Sequence, residues 1–156
     1  MVVSSAGVLT GAGFYHADAG RLAAYRSALA GPAGDVLVRL DQNTTLTLPE
    51  ASTAGELQLP KGVVHVISRF NKRFGIITPF VNAFVDGTEF TVATDDGQAR
   101  VVVAEGRVRT GNSAGEQRIG AGQAIEARAG SAPAGITVRP LDAVAWAIHY
   151  PQVQHL

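Results

Sequence analysis

The feature that most restricts the fold is the stretch TEFTVATDDGQARVVV, residues 88–103, in which two alternating apolar runs flank an Asp-Gly pair. With Asp96-Gly97 as a two-residue turn, Val92 opposes Val101 and Phe90 opposes Val103, so all four apolar side chains share one side of a hairpin. Thr91 and Val102 then point to the other side. An Asp-Gly pair is what a type I′ turn selects, because its central residues need positive φ.

The same pattern occurs earlier in the chain. Gly62 in LQLPKGVVHV and Gly106 in VVVAEGRVRT lie 44 residues apart. At that offset Leu46, Leu48, Leu57, Leu59 and Val64 fall on Phe90, Val92, Val101, Val103 and Val108, with Thr44 on Thr88 and Thr47 on Thr91 and no gap. Two related units are expected to form one core, each with a hairpin, a Gly turn after a charged residue (Lys61, Glu105) and a further strand.

From Asp35 to about Val138, short runs of Val, Ile, Leu, Phe and Thr alternate with polar residues and are cut by Gly, Asp-Gly or Pro. This predicts many short strands, among them 36–40, 45–48, 57–59, 63–68, 89–94, 100–103, 108–110 and 116–119, packed sheet on sheet. Helical texture is confined to the ends. Leu22, Tyr25 and Leu29 recur at steps of three and four within Asp18 to Ala30, and Leu141, Val144 and Ile148 share a face in RPLDAVAWAIHYP, where Trp146 reads as a packing anchor. The expected fold is all-β: two related antiparallel units packed as a sandwich or short β-roll, with a short helix at each end. The organisation that follows is an extension with its helix over 1–34, a β domain over 35–139, and a helix and linker over 140–156.

Composition then narrows function. The 156 residues make one domain, long enough for a real core without disulfides. Thirteen Lys and Arg balance thirteen Asp and Glu, which leaves no long-range field to draw phosphates, so nucleic-acid partners and basic membrane-surface binding are disfavoured. Without cysteine there is neither a Cys-ligated zinc site nor a thiol nucleophile. The segment Met1 to Phe14 has no positive start and is interrupted by Ser4, Ser5, Thr10 and three glycines, so neither a signal peptide nor a membrane span is expected.

Chemistry-bearing patterns are sparse. His16, His65, His149 and His155 are scattered, and the residue two after His65 is Ile67, which breaks the paired-histidine spacing of a cupin metal site. His65 alternates with Val64 and Val66, so it is expected on a solvated strand face. Asp86-Gly87 and Asp96-Gly97 read as turns. No phosphate loop, dinucleotide fingerprint or nucleophile elbow occurs. No catalytic, metal or cofactor residue is assigned, and no cofactor is expected.

The block ITPFVNAFVDGTEFTVATDDGQARVVVAEGRVRTGN, followed by IGAGQAIEA, resembles the FecR domain, the periplasmic part of a family that regulates iron-transport sigma factors. The matching positions are Thr78-Pro79, Gly87-Thr88-Glu89-Phe90, Glu105-Gly106-Arg107-Val108 and Gly122-Gln123, and the upstream LDQNTTLTL and GELQLPKGVVHVIS resemble the first half of such domains. The resemblance covers about Asp35 to Val138. The ending PLDAVAWAIHYPQV resembles the junction of FecR proteins that continue into tetratricopeptide repeats. These resemblances imply a non-catalytic sensory or regulatory module of the periplasm or cell envelope, engaging a protein or an envelope polymer. The alternative is a scaffold domain that positions adjacent repeats or cell-wall polymers, and an unrecognised enzyme ranks third.

Within the shared motif the residues themselves favour structural roles. Gly87 suits a tight turn into a strand, Thr88 a local backbone bond and Phe90 the core, while Glu89 alternates outward. A partner is expected at a sheet edge, whose unpaired backbone groups can accept an added strand, with Arg107 and Arg109, at the positions that Val63 and His65 occupy in the first unit, and Glu89 as its contacts.

Overall fold

The computed structural model describes residues 2–3, 8–10, 13–16, 36–41, 44–47, 56–68, 74–85 and 87–137. The helices expected at each end of the chain, and Trp146, lie outside these residues. Every described element is a strand: β1 (Val2–Val3), β2 (Val8–Thr10), β3 (Gly13–His16), β4 (Val36–Leu40), β5 (Thr45–Thr47), β6 (Glu56–Ser68), β7 (Phe74–Ile77), β8 (Asn82–Val85), β9 (Glu89–Thr94), β10 (Gln98–Glu105), β11 (Arg107–Asn112), β12 (Gly115–Gly120), β13 (Ala124–Arg128) and β14 (Ala134–Ile136).

The strands form two sheets that share β6. Sheet A runs β1-β2-β5-β6-β7-β8-β11-β12, and sheet B runs β3-β4-β6-β9-β10-β13-β14. Pairing is antiparallel except between β6 and β7, which are parallel with Leu57 opposite Ile76. A parallel neighbour needs a crossover of about a dozen residues. Here the second half of β6 provides it, carrying the chain into sheet B before the return at β7. The segment 2–16, placed by its sequence in an extension, supplies strands to both sheets.

The glycine positions expected to be turns are corners. Gly62 (φ 110°) lies inside β6 where it leaves sheet A for sheet B, and Gly106 (φ 84°) joins β10 in sheet B to β11 in sheet A. A Cβ at Gly62 would collide with Thr44, and one at Gly106 would lie 2.9 Å from the carbonyl oxygen of Gly87 and 3.0 Å from Thr88 Oγ1. Positive φ and absent space both require glycine there. Each corner is bonded by the threonine it crowds. Thr44 Oγ1 accepts from Val63 N–H (3.0 Å) and donates to its carbonyl (3.2 Å), and Thr88 Oγ1 donates to Arg107 O (3.0 Å). The Thr88 bond therefore spans the corner, where a local partner was expected.

The repeat also holds in register. Thr45 opposes Lys61 and Thr47 opposes Gln58, while 44 residues later Glu89 opposes Glu105 and Thr91 opposes Val102, with an irregularity at the same place in both hairpins. The first hairpin sits in sheet A and continues into sheet B, and the second does the reverse. The two units thus exchange sheets and close a short roll around one core.

In the second hairpin Val92 opposes Val101 and Phe90 opposes Val103, and all four are fully buried. Leu46, Leu57, Leu59 and Val64 of the first unit belong to the same buried core, Val64 as the cross-strand neighbour of Val92. Each such side chain contributes roughly 1.5–3 kcal/mol on burial. The turn differs from the type expected, since Gly97 has no positive φ. Asp95 closes it instead: its Oδ1 accepts from the N–H groups of Gly97 (2.9 Å) and Gln98 (3.0 Å).

Candidate functional site

Strand β11 alternates strictly. Val108 and Thr110 are buried toward the core, and the Thr110 hydroxyl is satisfied by donating to Gln117 O at 2.8 Å. Arg107 and Arg109 consequently project from the outer face of sheet A. Strand β11 lies between β8 and β12, so the arginines occupy a sheet face and not the edge expected for partner docking.

Across that face the register builds a row. Phe84 of β8 opposes Arg109, and Arg109 opposes Arg118 of β12. The Arg109 guanidinium carbon stands 5.5 Å from the centre of the Phe84 ring, a cation–π contact that contributes about 0.5–1 kcal/mol at exposed sites. Phe84 in turn covers Gly75 of β7, where a Cβ would come within 2.7 Å of the ring. An open depression of about 670 Å³ lies on this face, with Phe84, Gly106, Arg107, Arg109 and Arg118 among its described walls.

The charge pattern of the face is unbalanced. Among the described residues no carboxylate pairs with Arg107, Arg109 or Arg118, and Arg109 and Arg118 stand directly opposite each other, an arrangement that is destabilising for like charges. On sheet B, Arg100 and Arg128 behave differently. Arg100 and Arg128 both reach Glu126, at 3.2 and 3.1 Å.

Glu89, grouped with the arginines by its place in the motif, lies on sheet B. Its Oε1 is 2.8 Å from Nε2 of His65. His65 is only 2% exposed, which overturns the expectation of a solvated histidine. It stands in a cross-strand row with Thr91, Val102 and Ala124, all buried on the side of sheet B opposite the core. Alternation correctly set the face of His65. It could not tell that this face is itself covered.

The other motif residues hold the roll's turns. Thr78 Oγ1 donates to Val81 O (2.7 Å) and accepts from Val81 N–H (2.9 Å), closing the β7–β8 turn around Pro79. Gly87 takes φ 59° beside the second corner. Gly122 (φ 81°) donates its N–H to Val103 O (2.9 Å), and the Gln123 side chain accepts from Gly120 N–H (2.7 Å), fixing the β12–β13 turn to the end of β10. Among the described residues no group of three or more His, Asp and Glu could hold a metal ion, and no helix is long and apolar enough to cross a membrane.

Arg118 and Phe84 were not singled out from the sequence. A signal for Arg118 existed: a two-residue turn at Ser113-Ala114 in GNSAGE places it opposite Arg109, as the structure does.

Two crystal structures of proteins from Parabacteroides distasonis, provisionally described as anti-sigma factors, share the fold. One has a TM-score of 0.67 at 15% identity, covering 90% of this chain and 64% of its own. The other has a TM-score of 0.62 at 18% identity, covering 72% of this chain and 55% of its own. The chain therefore spans less than two thirds of the length of either. No curated protein matches significantly. A family profile described as FecR protein matches residues 28–109, more than half of the chain and including both corners of the roll. The chain belongs to the FecR family.

Proposed function

We propose that this chain is a sensory or regulatory module of an envelope-associated signalling protein, acting through a bound protein partner and without catalysis. The observation that carries this reading is the FecR match over 28–109, since that family is one of regulators. The arrangement of the turns is consistent with a rigid platform, because Thr78, Thr88 and Gln123 are each committed to a backbone bond at a corner or turn. Placement in the periplasm follows from the same reading.

The test is photo-crosslinking in cells, with a photoreactive residue at exposed positions on both sheets, Gln58 of β6 on sheet A and Arg100 of β10 on sheet B. A single protein captured from either face, and lost when the module is replaced by an unrelated β domain, supports the reading. Capture of no protein, together with co-sedimentation of the purified chain with peptidoglycan, would replace it by the scaffold alternative that the PLDAVAWAIHYP junction favours.

A further inference from the structure

We infer that the outer face of sheet A around Phe84, Arg107, Arg109 and Arg118 is a docking surface for an extended, carboxylate-rich segment of the partner protein. The inference rests on the proposed function and adds where the partner binds and by what chemistry.

Four observations carry it. The three guanidiniums have no carboxylate partner among the described residues, although Arg100 and Arg128 on sheet B share Glu126. Neutralising such a strip is therefore possible on this roll and is not done here. The arginines are also not demanded by the corner, because the equivalent positions of the first unit are Val63, half-buried, and His65, buried. Arg109 is held in place before any ligand arrives, stacked on a Phe84 ring that itself rests over Gly75. Such pre-orientation lowers the ordering cost of binding. Finally, Arg107 and Arg109 are alternate residues of one strand, spaced by about 6.8 Å, which is the spacing of alternate carboxylates in an extended peptide.

The extent of the surface favours a peptide over a long polyanion. Glu116 lies beside Arg118 on β12, Glu56 stands at the far end of the row beyond Gly75, and Glu105 precedes the corner. The positive area is thus bounded by acids on several sides, which suits a short acidic segment and repels a continuous polymer charge.

The experiment uses the full chain labelled for NMR, titrated with a short peptide alternating Glu and Thr and with its Gln-Thr counterpart. Saturable shifts of the Arg107, Arg109 and Arg118 side-chain signals with the Glu peptide alone are expected. Arg107→Ser/Arg109→Ser/Arg118→Ser should weaken binding at least about tenfold, whereas Arg100→Ser/Arg128→Ser should leave it unchanged. Arg118→Glu, a single exposed change, should lose the Glu peptide and gain a Lys-Thr peptide, which separates loss of charge from loss of fold. Equal weakening by the sheet B pair of substitutions would overturn the inference. So would shifts of the same signals by polygalacturonate with the peptide silent, or crosslinking of the partner from Arg100 alone, an outcome that leaves the regulatory reading standing.

Discussion

Gly106 and Gly122 have nearly the same backbone conformation, φ 84° and 81°, but different surroundings. A Cβ at Gly106 meets the Gly87 carbonyl at 2.9 Å, while one at Gly122 has nothing within 4 Å. Gly122→Ala should cost only the left-handed penalty of about 1–2 kcal/mol. Gly106→Ala should cost about 1–3 kcal/mol more through crowding. Urea denaturation of the two variants checks this, and equal losses would mean that the corner yields. Glu89 offers a second test at this scale. Its carboxylate is bonded to buried His65, so Glu89→Ala should lose about 1–3 kcal/mol and Glu89→Gln, which keeps a hydrogen-bonding group, distinctly less. A variant as stable as the parent would show that the imidazole finds another acceptor.

At the scale of elements, the alternation of apolar residues located β9 to the residue, 89–94, and set its register with β10, because one buried face fixes pairing. It divided β6 in two at Gly62, since a glycine with a charged residue before it looks the same at a turn and at a sheet corner. The β7–β8–β11 row was invisible for a related reason: Gly75, Phe84 and Arg109 come from three separate strands. Their coupling is measurable. Gly75→Ala should cost about 1–3 kcal/mol by displacing the Phe84 ring, and in a Phe84→Ala background the same change should cost much less. Additive losses would show that the ring does not rest on Gly75 in solution.

At the scale of the molecule, each repeat unit contributes strands to both sheets, so neither unit has a core of its own. Unfolding should be a single transition. Hydrogen exchange tests this at two amides, Val63 N–H bonded to Thr44 at the first corner and Val103 N–H bonded to Gln123 O beside the second. Both should exchange with the same free energy, and a gap beyond about 1 kcal/mol would mean that the units open separately.

The sequence by itself determined the all-β class, the hairpin register, the 44-residue duplication and the family, because each depends on local periodicity or on residues close in the chain. A glycine turn at 106 and the inward face of Phe90 were legible for the same reason. Tertiary structure alone decided that the two units trade sheets, that Thr88 bonds across the corner to Arg107, and that His65 is buried beside Glu89. It also separated Glu89 from the arginines and brought Arg118 and Phe84 to them. Alternation fixes which side of a strand a residue faces. What lies against that side is set by strands distant in sequence, and only their packing distinguishes a solvated face from a covered one.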